Sequence, residues 1–362
     1  MEKIAVIMAG GTSGQLWPLA TQKVPKQFVH ISGDGTMLQN TFMRLTPMYP
    51  IENIFVVIGK SMQSIVEEQL PNMKKENIIY EPYEKHTAPC LALTELAIKD
   101  RFPEDTVMTA FPADHLVSNI QEFQASVETA TELAASLNCV ATIAVKPTRP
   151  VTEFGYVQVR DSVAGIEDFY LRGVRYCASF AEKPDYATTL RFIESGDFFW
   201  NTGIYSWTLK TFHRLYRQFL PEDADLFDNL RDKPFEDILP EELNYIYKNI
   251  KAVSLDYSIL EKAGNVLVVE AEFEWSDLGN WNEIFRKLMK DSRNNILEGN
   301  IISLNNTGCF ISSSNNLVAA VGLKDLLIIE NNGALLICNR NDADAIKNVQ
   351  EYLKLHKISA YI

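Results

Sequence analysis

No Cys-x-x-Cys pair occurs among the five cysteines, Cys90, Cys139, Cys177, Cys309 and Cys338, which are odd in number and scattered. Their pattern excludes a disulfide framework and a cysteine-based zinc site, and predicts reduced thiols in a cytoplasmic chain. Long apolar runs are missing as well: none approaches the roughly 18 residues that cross a bilayer. The N-terminus enters a strand with no basic start or cleavage site, so no leader is expected. Positive charge is scarce. Lys and Arg number 34 against 47 Asp and Glu, a formal charge of −13. That balance argues against nucleic acid or an anionic membrane as partner, and a polyanionic ligand would need a local cationic site or a metal. Neither a Ser–His–Asp nor a Cys–His constellation is legible.

What remains is an ordinary globular composition, 46% apolar and 22% charged over 362 residues, long enough for two domains. Buried strands are predicted at residues 4–7, 53–59, 78–80, 106–111, 139–145 and 266–272. Helices are predicted at 36–48, 61–70 (capped by Ser61), 88–102, 123–137 and 281–289. Alternating strands and helices imply an α/β layer with a mixed, mostly parallel sheet, whose ligands bind beyond the C-terminal strand ends. Between them lie hairpin-like segments near Gly155 and residues 176–180, then a helical block at 209–262. From residue 291 the character changes. Short strands at 301–304, 309–311, 317–320, 326–329 and 335–337, separated by Asn/Gly/Ser turns, suggest a small β-helix or sandwich closed by a helix at 342–355. The expected division is 1–290 and 291–362.

The first strand runs into Ala9-Gly10-Gly11-Thr12-Ser13-Gly14-Gln15, with Lys23 and Lys26 following. A strand, a glycine turn and a lysine suggest a phosphate site, because successive backbone N–H groups in such a turn make an anion-binding concavity. A Walker loop is excluded by Gln15 where its second glycine belongs, and the dinucleotide fingerprint by the Gly-Gly-x-x-Gly order. Strand-end acids Asp114 and Asp277, and the strand-end Glu81, are candidate ligands. Taken singly, each also fits a blander role as a cap or a solvated end.

Ala9-Gly10-Gly11, Leu16-Trp17-Pro18-Leu19 and Pro25-Lys26-Gln27-Phe28 resemble the signature of the sugar nucleotidyltransferases of the mannose-1-phosphate guanylyltransferase family. The likeness continues through Glu81-Pro82, Thr87-Ala88-Pro89, Phe180-Ala181-Glu182-Lys183-Pro184, Trp200-Asn201-Thr202-Gly203 and Trp275-Ser276-Asp277, in family order, to about Asp325. It implies a Rossmann-like nucleotidyltransferase domain followed by a left-handed β-helix used in assembly and domain packing. The oligomeric state stays open, with a homodimer as one option.

The resemblance also implies roles. Ala9, Gly10, Gly11, Thr12 and Gly14 would cradle the phosphates of GTP, while Glu81, Thr87 and Ala88 would hold guanine. A carboxylate matches guanine's adjacent donor pair in geometry and charge. Gly155, Glu182 and Asn201 would meet the hydroxyls of mannose-1-phosphate. Lys26 and Lys183 would balance charge, and Asp114 and Asp277 would hold Mg2+. The product would be GDP-mannose. Gln15 departs from the family's arginine, and Glu84, Lys85 and His86 replace Gly-Arg-Asn. Lys85 or Lys23 is the expected source of compensating charge. A binding or regulatory relative with impaired turnover, or an enzyme for another sugar phosphate or NTP, is the alternative that Gln15 keeps open. The extra isomerase domain of longer members is absent from these residues, so no isomerase activity is expected.

Overall fold

The computed structural model describes residues 1–11 and 14–362. Thr12, expected at the phosphates, lies outside the described residues. The chain forms two compact units. One comprises Met1–Gly10, Thr41–Ala113 and Val117–Trp275, the other Gly11–Asn40, Asp114–Leu116 and Ser276–Ile362. Ala9 and Gly10 of the glycine loop thus fall in the first unit, and the segment from Gly11 is grouped with the C-terminal strands.

The strands run in chain order: β1 (Lys3–Met8), β2 (Ile54–Gly59), β3 (Ile78–Glu81), β4 (Val107–Pro112), β5 (Leu116–Val117), β6 (Val140–Val145), β7 (Gly155–Arg160), β8 (Val174–Glu182), β9 (Phe198–Thr208), β10 (Val266–Ala271), β11 (Trp275–Ser276), β12 (Ile296–Leu304), β13 (Phe310–Val321), β14 (Leu326–Asn331) and β15 (Ala334–Asn339). The first unit is built on a nine-stranded sheet ordered β3-β2-β1-β4-β9-β6-β10-β8-β7. Pairings β3–β2, β2–β1, β1–β4 and β6–β10 are parallel, while β9 and β8 run against their neighbours, so seven of the nine point one way. The mixed sheet follows expectation, and its parallel half has the near-continuous apolar strands that burial on both faces requires. Residues 198–208 were not expected as a strand, because Asn201 and Gly203 interrupt their apolar run. β9 nevertheless lies at the centre of the sheet, antiparallel to both β4 and β6.

One helix carries much of this core. Thr87–Ile98 is buried on nearly every face, as a helix apolar all round should be. It packs with Val6, Phe55, Met108, Trp207, Phe212 and Tyr247. The expected block at 209–262 resolves into helices Leu209–Phe219, Pro221–Asp228 and Pro240–Asn249 and a π-helical turn, Asp256–Leu260. The helix expected at 61–70 begins at Gln63, after a 3-10 turn, and Ser61 does not cap it.

The second unit has its own core, in which Leu16, Trp17, Trp281, Phe310, Leu327 and Leu353 meet. Trp281 donates its indole N–H to the Trp17 carbonyl at 3.2 Å, and Trp17 donates its own to the Tyr361 carbonyl at 2.9 Å. A four-stranded sheet, β12-β13-β14-β15, completes the unit, parallel except for the β14–β15 hairpin. The two short strands expected at 309–311 and 317–320 are one strand, β13. Its pairing to β12 jumps from Gly299↔Ser313 to Ile301↔Val318, so residues 314–317 bulge out of the ladder instead of turning. All five cysteines are free. Among the described residues no helix is long and apolar enough to cross a membrane.

Candidate active site

Lys26 lies in the 3-10 turn Lys26–Phe28, which follows Pro25 and buries all three of its residues. Its ammonium stands 2.7 Å from Asp114 Oδ2, with the Lys26 side chain only 6% exposed. The same ammonium donates to the Asp277 carbonyl. Asp114 and Asp277 are electrostatic neighbours, so one buried cation faces two carboxylates. The two acids answer differently. Burial works to raise the Asp114 carboxyl, but the charges of Lys26 and His115 and the Lys26 hydrogen bond outweigh it and hold the group below its ordinary range. Burial prevails at Asp277, which is pushed up despite Lys26, with the Asp114 and Glu283 charges adding to the rise.

Local backbone fixes this geometry. Leu278 is held at φ 44° and Gly279 donates its N–H to Asp277 Oδ1 at 2.9 Å. A Cβ on Gly279 would stand 2.9 Å from Asp277 Oδ2, so glycine is what lets the carboxylate fold back over its own turn. The uncompensated second carboxylate fits a divalent cation. Among the described residues no group of three or more His, Cys, Asp or Glu could cage a metal by itself. Two carboxylates completed by ligand phosphates is the pattern suited to magnesium.

In the first unit, Glu81 ends β3 with 3% exposure. Its Oε1 accepts from the Tyr247 hydroxyl at 3.1 Å, and the position a Gly10 Cβ would take lies 3.7 Å from its Oε2. Burial pushes the Glu81 carboxyl up to about 7; the Glu84 charge adds to the rise, while the hydrogen bonds from Tyr247 and Cys90 oppose it. Thr87 opens the helix Thr87–Ile98 and is not its cap, a position taken by His86 at φ 65° without a side-chain bond. The Thr87 hydroxyl accepts from the Leu255 N–H at 2.8 Å, and the Ala88 N–H donates to the Val253 carbonyl at 3.3 Å. Gly11 has the expected positive φ, 94°, whereas Gly10 does not. Gln15 is half-buried.

The same unit holds a second cluster. Gly155 begins β7 directly opposite Glu182 at the end of β8. A Cβ on Gly155 would stand 2.8 Å from Glu182 Oε2 and 3.8 Å from the Asn201 Cβ, so these three expected sugar-binding residues do adjoin. Lys183, at φ 47°, keeps its ammonium 3.4 Å from Glu182 Oε1. Burial and the charge of Asp256 raise the Glu182 carboxyl, with Lys183 opposing them. Gly155→Ala is therefore expected to change stability by less than about 1 kcal/mol, since only the end of a flexible side chain must move. With Glu182 in the sugar-binding role that the sequence resemblance implies, its displacement should raise KM for the sugar phosphate roughly tenfold, with KM for the nucleotide unchanged, as steady-state kinetics would show.

Three non-glycine residues with positive φ, His86, Lys183 and Leu278, lie within or beside three of the matched motifs. Such strain persists where the surrounding structure over-determines it, often at functional sites. Lys85 and Lys23, expected near the phosphates, each donate one bond to a carbonyl, of Ile250 (3.1 Å) and Ser359 (3.5 Å) respectively. The sequence reading missed Tyr247, Cys90, Tyr205 and Asp256. Only Asp256 left a signal, as the lone charged residue within Val253-Ser254-Leu255-Asp256-Tyr257-Ser258-Ile259-Leu260.

Residues 4–294 match the nucleotidyl transferase family model, and residues 299–353 match the MannoseP isomerase/GMP-like beta-helix domain. The mannose-1-phosphate guanylyltransferase of Escherichia coli K12 is 32% identical over 96% of this chain and 73% of its own length. Mannose-1-phosphate guanylyltransferase 2 of E. coli O157:H7 is 30% identical over 99% and 75% respectively. A crystal structure described as mannose-1-phosphate geranyltransferase from Thermus thermophilus superposes with TM-score 0.86 at 26% identity, over 98% of this chain and all of that one. The strand-end acids, the glycine loop and the matches over nearly the whole length make this chain a nucleotidyltransferase, a member of the nucleotidyl transferase family in the group that holds the mannose-1-phosphate guanylyltransferases.

Proposed function

We propose that this chain transfers GMP from GTP to mannose-1-phosphate, giving GDP-mannose and pyrophosphate. The observation that carries the reading is the buried Lys26 shared by Asp114 and Asp277, one cation for two acids, at a strand-end position suited to a metal-bound triphosphate. An oxygen of the sugar phosphate attacks the α-phosphorus in line. The new P–O bond forms as the α–β bridge breaks, and pyrophosphate leaves with that electron pair. Such transfers need positioning and charge stabilisation more than a protein nucleophile. Magnesium bound by Asp114 and Asp277 would supply a Lewis acid for the developing phosphate charge. Lys26 holds Asp114 ionised and ties down the Asp277 turn through its carbonyl, and Lys183 neutralises the sugar phosphate. Ala9, Gly10, Gly11, Thr12 and Gly14 cradle the phosphates, and Glu81 with the Thr87–Ala88 helix start selects guanine. We assign this chemistry to residues 1–290 and a packing role to 291–362. A single reaction offered competing NTPs and sugar phosphates tests the assignment: GTP and mannose-1-phosphate should dominate the products.

Gln15 supports a second reading, a relative that binds the nucleotide sugar without turnover. Loss of one preorganised donor typically costs about 10²–10³ in rate. In an active enzyme, Gln15→Arg is thus expected to raise kcat by up to roughly 10²-fold, measured by pyrophosphate release.

A further inference from the structure

Asn201 is the sequence's candidate for a sugar ligand, yet its amide has nothing left to give. Its two N–H bonds go to the Tyr205 hydroxyl at 2.7 Å and to Asp256 Oδ1 at 2.9 Å. Its oxygen accepts from the Thr142 hydroxyl at 3.1 Å and the Gly203 N–H at 3.3 Å. An Asn side chain offers two donors and two acceptor positions, so all four are used. The Tyr205 hydroxyl also donates to Asp256 Oδ1. Two neutral side chains on β9 therefore converge on one oxygen of one carboxylate.

Asp256 itself opens the π-helical turn Asp256–Leu260, a conformation frequent at functional sites. The residue is half-buried. Its Oδ2 accepts no side-chain hydrogen bond among the described residues. Glu182 and Lys183 are its electrostatic neighbours, and Gly155 lies against Glu182. The segment that carries it is anchored at Leu255 and Val253 to Thr87 and Ala88, the helix start assigned to guanine.

We infer that Asp256, aimed by Asn201 and Tyr205, is a specificity-determining carboxylate that accepts a hydrogen bond from a hydroxyl of the sugar through Oδ2, with Asn201 acting as a positioning residue. The inference rests on the proposed reading of this cluster as the sugar side of the site. A carboxylate with one oxygen fixed by two neutral donors, and the other taking no side-chain bond among the described residues, is suited to a polyol. A second carboxylate, Glu182, beside a single lysine adds another acceptor for the same class of ligand.

Calorimetric binding of GDP, GDP-mannose and analogues of GDP-mannose that each lack one sugar hydroxyl tests this without requiring turnover. Wild type should lose roughly 10- to 100-fold in affinity for the analogue missing the hydroxyl that Asp256 serves. Asp256→Ala should lose a similar factor on GDP-mannose, show no further loss on that one analogue, and bind GDP as wild type does. Asp256→Asn, which keeps an acceptor but not the charge, should fall between. Tyr205→Phe, a milder change that keeps the ring in the core, should shrink the penalty for the same hydroxyl and no other. An Asp256→Ala profile identical to wild type, or an equal loss on every ligand including GDP, would overturn the inference while leaving the proposed function intact. Wild type that binds GDP but gains nothing from the mannosyl group would overturn both.

Discussion

Asp277→Asn should lower kcat by about 10³-fold or more, some 4 kcal/mol of transition-state stabilisation, while leaving the melting temperature unchanged or slightly raised. The two effects separate because Asp277 is a buried acid beside a second acid, and burial already pushes its carboxyl up. An amide in its place keeps an oxygen for the Gly279 N–H and removes a like charge from Asp114, so the fold loses little. Chemistry that depends on two carboxylates for a metal loses nearly everything. Steady-state rates across a magnesium titration, with thermal melts alongside, check both halves. A variant within tenfold of wild type would remove Asp277 from the reaction.

The second large effect concerns the base and has a sign in pH. In the proposed role Glu81 would accept two guanine donors only as a carboxylate, and burial raises its carboxyl to about 7. Below that value the protonated form dominates and must lose its proton to bind guanine. KM for GTP should then rise about tenfold per pH unit as pH falls beneath the raised value, and level off above it. The same shift means that ionised Glu81 weighs against the ligand-free fold at high pH, a cost that fades as pH falls through about 7 towards the ordinary carboxyl range. Glu81→Gln should flatten the KM profile and cut the preference for GTP over ATP by roughly 10²-fold. Wild-type KM that stays constant between roughly pH 6 and pH 8 would contradict this role for Glu81.

Much of the fold was legible because its parallel half is written in apolar runs. Ile4-Ala5-Val6-Ile7 and the Phe55–Ile58 stretch admit little but buried strands, and they are almost wholly excluded from solvent. β9 was not legible. Its polar Asn201 and conformationally free Gly203 look like a loop, and what makes them strand residues is tertiary: Thr142 on β6 and Asp256 on a distant turn satisfy the Asn201 amide. Likewise the break in β13 pairing is a register change that no turn signal in Ser314-Asn315-Asn316 distinguishes from a true turn.

The site divides the same way. Gly155 and Glu182 were readable as candidates for one ligand, and the β7–β8 pairing sets them opposite each other. The Lys26–Asp114–Asp277 group was readable as a set of types but not as a geometry. One ammonium bridging a side chain at 114 and a carbonyl at 277 depends on a contact spanning 251 positions of chain. Tyr247 and Cys90 left no trace at all. Both lie in helices where a buried aromatic and a small thiol are ordinary core residues, and only the three-dimensional approach to Glu81 gives them a polar partner. Lys85, the cation retained at the family's arginine position, donates to the Ile250 carbonyl, a partner 165 positions away that no local pattern foretells.

The most direct measurement is pyrophosphate release from GTP, mannose-1-phosphate and magnesium by the wild-type chain, run beside calorimetric binding of GDP-mannose. Proposed as a working transferase despite Gln15, the protein should release one pyrophosphate for each GDP-mannose formed, with no release when magnesium or mannose-1-phosphate is omitted. Tight GDP-mannose binding with no pyrophosphate released would contradict it and leave a nucleotide-sugar-binding protein in its place.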